Sequence, residues 1–449
     1  MFLLRYIVCL GRLIVFYARG HGQKEWVDSV HGTQLCAIIA SGGPLSVKMA
    51  QICSMHNLIQ HLPWAKSMRR LQEQSPPRMS RDRIRALIRN AYCGDNAFHT
   101  HFADFEEVPF AAGSISQAHR AHLPCGKTVV LKVISPDMHK EIETSYSIAH
   151  GMMRLLKWAS PSWRRIIRMY DLEEMSRSVY DSLLGQGDLV KEANAMKRFG
   201  RLVKMTRGIH IPRVYVELSR PAHGILVSEY VESEDLVAYL ARHPEQREFV
   251  IARVAEFGYG MMFMFGALFA DAHLGNIKYA PALNKIVVFD FGIVFEVEEA
   301  LRHDFYCYIK ALTSGRHDVA ARYIARVLEA VPTDTFAPLF EQAITREIDR
   351  KDNTLNVRLL EGFMDVMRTH DIHINRKTHQ LFMSVCILTL TISYLGGHEN
   401  TWRHLVEIMG KFPDMDIEVE DRVRTDTCRP GICLPKNIRK TIRRQYLSP

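Results

Sequence analysis

The stretch Phe265–Val294, FGALFADAHLGNIKYAPALNKIVVFDFGIV, places an acid and an amide, Asp271 and Asn276, five residues apart in a loop-like segment. Fourteen residues later Asp290 follows the apolar run Ile286 to Phe289, just ahead of Phe291 and Gly292. Such a run, rich in β-branched and aromatic residues and bounded by polar or turn residues, predicts a buried strand. An acid and an amide on one loop, with a second acid at the mouth of a nearby strand, suit one task. They can hold a divalent cation against nucleotide phosphates and orient an attacking group. Two unrelated surface loops would give the same letters, so the N-terminal half has to decide.

That half contains PFAAGSISQAHRAHLPCGKTVVLKVISPD, starting at Pro109. Ala111-Ala112-Gly113-Ser114 is a run of small residues, followed by alternating residues, a turn at Pro124 to Gly126, and a strand Thr128 to Val133. Lys132 lies inside that strand between Leu131 and Val133. A lysine in an apolar strand is costly unless something anionic meets it, and the natural partners are a carboxylate and a phosphate. The small residues let backbone approach a phosphate closely. After Gly185 and Gly187 a helix from Asp188 to Val203 presents Glu192 near its start, the candidate partner for Lys132. Two strand-like runs follow, His210 to Val216 and Gly224 to Val231, then a helical stretch Phe249 to Phe269 that ends in the Asp271 loop. Strand, lysine strand, helix with glutamate, two strands and helix is the order of a protein-kinase-like fold.

The 449 residues suffice for two or three folding units, and 47% hydrophobic with 24% charged residues is ordinary for a globular protein. A net charge of +9 fits an anionic membrane surface or a phosphorylated ligand. Without zinc-finger spacing or a basic-aromatic stripe, nucleic acid is not expected as a partner. The nine cysteines are scattered and odd in number, so reduced thiols are expected, although Cys428 and Cys433 are close enough in sequence to pair.

At the N-terminus Arg5, Arg12 and Arg19 recur every seven residues, on roughly one side of a helix. Three readings stay open for this segment: an arginine-rich targeting sequence, a membrane-interface helix, and a helix docked on the domain. Ser41-Gly42-Gly43-Pro44 breaks the chain, and the helix that Pro44 starts carries Lys48 and Gln51 on one face, a position usually solvated. Arg81 to Tyr92 predicts another helix, and His139 to Arg177 a mostly helical insertion with Trp158 and Trp163. Helical periodicity returns at 299–315, 317–329, 333–347 and 354–369. The uncharged Thr378 to His398, with its apolar heart Leu381 to Leu395, predicts a buried helix in preference to a membrane span, diluted by Thr389, Thr391 and Ser393. After Asp414 the chain ends in a polar, then basic, tail.

In this order, from about Ser41 to His398, the chain resembles the ABC1/UbiB/ADCK family of atypical kinases, proteins tied to coenzyme Q synthesis. SGGPLSVKMAQ, Ser41 to Gln51, is similar to that family's KxGQ helix; AAGSISQAH, from Ala111, to its alanine-rich loop; FADAHLGN, Phe269 to Asn276, to its catalytic loop; and Asp290-Phe291-Gly292 to its metal-binding motif. The resemblance implies an α+β, two-lobed atypical protein-kinase-like fold with an N-terminal helical extension over the nucleotide cleft. The implied division is a targeting or membrane-interface segment at 1–30, the extension at 31–108, an N-lobe with helical insertion at 109–232, a helical C-lobe at 233–412, and the tail at 413–449. The implied cofactors are ATP and Mg2+, with Lys132 on the phosphates, Glu192 as its ion-pair partner, and Asn276 and Asp290 on the metal. Asp271 is then the catalytic residue. Ala111, Ala112, Gly113, Ser114, Lys48, Gln51, Glu229 and Val231 complete the nucleotide site.

Five departures bear on activity: Ala50 for the KxGQ glycine, Gln186 in an ExD motif that reads Gln186-Gly187-Asp188, Phe269 for the histidine of His-Ala-Asp, Leu274 for a proline, and Gly113 in the alanine-rich loop. Gln186 keeps the shape of glutamate and loses its charge. Gly113, in place of the loop's third alanine, adds flexibility. The expectation is an ATP-binding atypical kinase or ATPase supporting coenzyme Q biosynthesis or lipid homeostasis. It would be mitochondrial and membrane-associated, with an isoprenoid or quinone-like lipid and coenzyme Q biosynthesis proteins as partners. Two rivals remain: a nucleotide-binding scaffold of weak or no turnover that couples ATP to lipid or partner binding, and a purely structural membrane-associated helical protein.

Overall fold

Ser80 caps helix α1 (Arg81–Ala91): its Oγ accepts the N–H of Arg83 at 3.4 Å. Ile84, Leu87, Ile88 and Ala91 then recur on one face and are buried. The structure, a computed structural model, describes residues 79–348 apart from 114, 162–163, 166, 168–171, 206–207 and 331, and residues 355–396 apart from 371 and 373–374. It also describes short pieces at 34, 37–39, 43–48, 405–407 and 409. The readings of residues 1–30, Ala50, Gln51, Ser114, Trp163, the Cys428–Cys433 pair and the tail fall outside the described residues. Among the described residues Cys93, Cys125, Cys307 and Cys386 are free thiols.

After α1 come α2 (Asp95–His101), β1 (Asp104–Phe105), β2 (Ala111–Ala112), β3 (Ser116–His122), β4 (Thr128–Ile134), α3 (Met138–Ala159), α4 (Leu172–Gln186) and α5 (Leu189–Leu202). Next are β5 (Ile209–His210), β6 (Ile225–Glu229), β7 (Glu234–Asp235), α6 (Leu236–Arg242), α7 (Arg247–Ala255) and α8 (Met261–Phe265). They are followed by β8 (Ala267–Phe269), β9 (Ile277–Ala280), β10 (Lys285–Val288) and β11 (Val294–Glu296). The chain continues with α9 (Glu299–Thr313), α10 (His317–Val327), α11 (Thr333–Ile348), α12 (Leu355–Thr369) and α13 (Arg376–Gly396). The class is α+β. One unit comprises Met1–Lys197, Pro212–Val231 and Phe291–Ile293; the other comprises Arg198–Ile211, Glu232–Asp290 and Val294–Pro449.

The first unit holds an antiparallel sheet in the order β1-β3-β4-β6, with β2 paired to β3. Alternation along β3 and β4 makes it two-faced. Ala121, Val129, Leu131, Val133, Ile225 and Val227 join Ile84, Leu87, Ile88, Tyr92, Phe98 and Phe102 of α1 and α2 in one core. The opposite face carries Ala118, Lys132 and Leu226, paired in register, and one step along it Arg120, Val130 and Ser228. The second unit holds a sheet ordered β5-β10-β9-β7, a β8–β11 ribbon and helices α6 to α13.

Three predicted elements differ in detail. The Phe249–Phe269 stretch is not one helix: α7 passes through a π-helical turn, Glu256–Gly260, into α8, and Gly266 at φ +63° ends it in the left-handed region. Ala267–Phe269 then pairs as a strand with β11. The run His210 to Val216 is divided. Ile209 and His210 pair in parallel with β10, whereas Val214 beyond Pro212 bridges Ser228 beside β6; proline has no N–H to continue the first ladder. Ala111 and Ala112 are a short strand and not open loop, with Gly113 N–H donating to the Ser116 carbonyl at 2.8 Å.

Candidate functional site

In the first unit, β4 lifts Lys132 onto the sheet face away from the helical core. Its Nζ donates to Glu192 Oε1 at 2.6 Å. The glutamate is 1% exposed and the lysine side chain 16%. Glu192 sits in the first turn of α5, where the helix dipole favours an anion. Asp188 caps that turn, accepting the Lys191 N–H at 3.0 Å. Burial pushes the Asp188 carboxyl up, but the Lys191 and Val190 N–H groups and the Lys191 ammonium outweigh this and hold it below the usual carboxylate range. Gln186, two residues earlier, is buried. The sequence thus brings Lys132 and Glu192 together as its pattern predicted.

The β2–β3 hairpin sits beside this pair, with Ala111 opposite Ala118 and Ala118 opposite Lys132. Ser114 falls outside the described residues. Glu229 turns both its N–H (2.8 Å) and its carboxylate (3.0 Å) to the backbone of Arg213, and Val231 is buried. Residues 44–48 are helical, as predicted, but Lys48 is not solvated: it is 8% exposed. Gly43 at φ +96° and Pro44 turn the chain into that helix.

In the second unit the Asp271 loop is knotted by its own hydrogen bonds. The His273 N–H donates to the Asp271 carbonyl (2.8 Å), the Asn276 N–H to the His273 carbonyl (2.9 Å), and the Gly275 N–H to His273 Nδ1 (3.0 Å). His273 Nε2 lies 3.6 Å from the Asp271 carboxylate. Asn276 Nδ2 donates to the Asp271 carbonyl at 3.0 Å, so the amide oxygen is the end left to face a cation. Phe289 N–H reaches back to the Asn276 carbonyl at 2.8 Å, and Ile277 pairs with Val288. Asn276 and Asp290 therefore flank one end of the β9–β10 hairpin. Asp290 adopts φ +56°, a conformation costing of order 1–3 kcal/mol for a residue with a side chain, as functional loops often do. An amide oxygen and a carboxylate are hard donors suited to Mg2+, which also takes water and phosphate oxygens.

Three supporting residues were missed in the sequence. Thr391, read as diluting the apolar helix, donates its hydroxyl to the Ala272 carbonyl at 2.7 Å and so braces the Asp271 loop from α13. Gln117 and His119 are buried on the core face of β3. Gln117 Oε1 accepts the Met79 N–H at 2.7 Å, and His119 Nδ1 donates to the Glu106 carbonyl at 2.9 Å. The alternation of Gln117, His119 and Ala121 was the available signal.

The model of the ABC1 atypical kinase-like domain matches residues 70–324. That span contains Lys132, Glu192, Asp271, Asn276 and Asp290 and leaves Lys48 and Gln51 outside it. A Shewanella baltica protein named "Probable protein kinase UbiB" is 26% identical over 333 residues, 71% of this chain and 58% of its own. The uncharacterised Synechocystis protein sll0095 is 27% identical over 259 residues, 57% of this chain and 44% of its own. The chain thus spans about half the length of these relatives. Mycobacterium tuberculosis Rv3197, solved with erythromycin, is similar with a TM-score of 0.47 and 16% identity, covering 79% of this chain and 93% of that one. With the family model matching more than half of its residues, the chain belongs to the ABC1 atypical kinase-like family, alongside proteins named UbiB.

Proposed function

We propose that the protein binds Mg-ATP and transfers or hydrolyses its terminal phosphoryl group. The observation that carries this is the buried Lys132–Glu192 pair, a cation fixed on the open face of a strand. Lys132, oriented by Glu192, meets the α- and β-phosphates, with the Ala111–Gly113 hairpin lying against them and Lys48 and Gln51 completing the nucleotide site. Asn276 and Asp290 would hold Mg2+, which when bound would neutralise charge on the phosphate oxygens. Asp271 orients the acceptor hydroxyl, or water, and takes up its proton as the new P–O bond forms and the bond to the bridging oxygen breaks. His273 beside Asp271 and the brace from Thr391 keep the carboxylate in place.

The family link and the three spaced arginines support a role in coenzyme Q biosynthesis or lipid homeostasis at a mitochondrial membrane. An isoprenoid or quinone-like acceptor and coenzyme Q biosynthesis proteins would then be partners, and the net positive charge suits an anionic surface. A second reading rests on Gln186. Loss of that carboxylate favours a scaffold that couples bound nucleotide to lipid or protein binding without turnover. The test is Mg-ATP binding and hydrolysis by the full chain, with and without anionic vesicles. Lys132→Ala should lose binding, and Asp271→Asn should keep binding and lose turnover. Binding without turnover by the unaltered protein in every condition would sink the enzyme reading and leave the scaffold.

A further inference from the structure

The helical insertion after β4 has no part in the roles assigned above. Its helix α3 buries only Met138, Ile142 and Ser145, all near its start. None of residues 146–159 is buried. That part of the helix leans on α4 along one side. The Tyr146 and Tyr180 rings lie 4.5 Å apart, and Lys157 Nζ meets the Glu173 carboxylate at 2.8 Å. Tyr146 and Lys157 are about three turns apart and so share that side. Leu155, about two and a half turns from Tyr146, falls on the opposite one, flanked by Gly151, Arg154 and Trp158.

Among the described residues this opposite side is left uncovered. Trp158 is 81% exposed, the most of any large hydrophobic side chain among them, and Leu155 is 61% exposed. A Cβ on Gly151 would meet nothing within 4 Å. Arg154 is exposed beside them, and Arg164 and Arg165 are exposed just beyond the helix end. Arg164 Nε donates to the Lys157 carbonyl at 3.1 Å, which holds that arginine against the end of α3. From Thr144 to Tyr170 the only formal charges are Arg154, Lys157, Arg164, Arg165 and Arg168, with no Asp or Glu among them. Exposed apolar tips of this size mark an interaction site. Tryptophan and leucine beside arginines make an interfacial anchor. The indole settles at headgroup depth, the leucine reaches the acyl boundary, and the guanidinium groups stay wet beside lipid phosphates.

We propose that this side of α3 docks the protein on an anionic phospholipid bilayer, with Leu155 and Trp158 inserted and Arg154, Arg164 and Arg165 against the phosphates. Charge decides the occupant. A stretch with five cations and no carboxylate complements a surface of one sign, whereas a protein surface presents both. The inference gives a place to the membrane partner of the proposed function and rests on that part of it alone. It is independent of the nucleotide chemistry.

The experiment is flotation of the full chain with vesicles of phosphatidylcholine, alone or with about one third phosphatidylglycerol. The unaltered chain should float with the anionic vesicles, and less so as salt rises. Leu155→Ser with Trp158→Ser should weaken that partition about tenfold, and Arg164→Glu with Arg165→Glu at least as much. Trp158→Phe keeps an apolar ring and should retain most of it. Lipids brominated along the acyl chain should quench the fluorescence of the unaltered chain more than that of Trp158→Phe. These side chains are exposed, so hydrogen exchange in β4 should match the unaltered chain in every variant. Partition unchanged in both double variants, equal partition into neutral vesicles, or lost self-association in sedimentation with flotation intact overturns the docking surface and leaves the membrane reading standing. Failure of the unaltered chain to float with either vesicle overturns the membrane reading as well.

Discussion

Replacing Lys132 with methionine removes the ammonium that pairs with Glu192 at 2.6 Å, and Glu192 is 1% exposed. Breaking a buried pair from one side costs roughly 3–5 kcal/mol, because the carboxylate stays behind in a poor solvent for it. The lysine side chain is 16% exposed, so some water reaches the site and the lower end, about 3 kcal/mol, applies. Glu192→Leu should cost less, about 1–2 kcal/mol, since the freed ammonium can lean toward water on its flexible stem. The double variant replaces the pair with apolar groups and should fall within about 1 kcal/mol of the original. The cycle therefore predicts a coupling of at least about 3 kcal/mol. A protein of two units does not unfold in one step, so hydrogen exchange in β4 is the better assay. About 3 kcal/mol corresponds to roughly hundredfold faster exchange of β4 amides in Lys132→Met, with recovery in the double variant. All three variants should lose protection by Mg-ATP. Exchange in Lys132→Met within about threefold of the original, or a double variant worse than that single, would refute the reasoning.

Two further outcomes follow from other contacts. A Cβ on Gly258 would lie 2.2 Å from Leu388 Cδ2, so Gly258→Ala should destabilise the second unit by about 1–3 kcal/mol. Leu388→Ala should then cost less in that background than alone, as hydrogen exchange of α13 amides in the four proteins would report. Burial holds the His119 imidazole below its ordinary 6.5, against the opposing pull of the Glu106 carbonyl and carboxylate. Between the folded value and 6.5 the unfolded chain binds more protons, so stability of the first unit rises with pH across that window and falls on acidification below 6.5. His119→Asn, which keeps a donor toward the Glu106 carbonyl, should flatten that acid limb in β3 exchange measured against pH.

Much of this arrangement was legible because strands announce themselves locally. Thr128 to Val133 is rich in β-branched residues and alternates in burial, and a lysine inside it had to have an anionic partner. Glu192 followed from helix position. The Asp271 loop and Asp290 were readable from spacing, and their shared hairpin end followed from the turn between two short strands. What was not legible depends on tertiary context. Gly266 looks like any helical glycine until Arg302 and the Val297 carbonyl crowd its missing Cβ at 3.0 and 3.3 Å. Pro212 divides one apolar run between two sheets, a choice made by β10 far downstream. Lys48 reads as solvated because helical spacing alone gives no hint that its face is covered.

Helix α13 is, by length and composition, the one described helix that could cross a membrane. Within four residues it inserts Leu388 against Gly258, hydrogen-bonds Tyr259 Oη through Thr389 at 2.9 Å, and supports the Ala272 carbonyl through Thr391. The same side chains cannot face lipid and do this work at once. The face of α13 that carries Leu388, Thr389 and Thr391 is thus committed to the protein interior. Tyr394 of the same helix is 59% exposed. Any movement of α13 along its axis would therefore be felt at the Asp271 loop, because the hydroxyl that holds the Ala272 carbonyl travels with it.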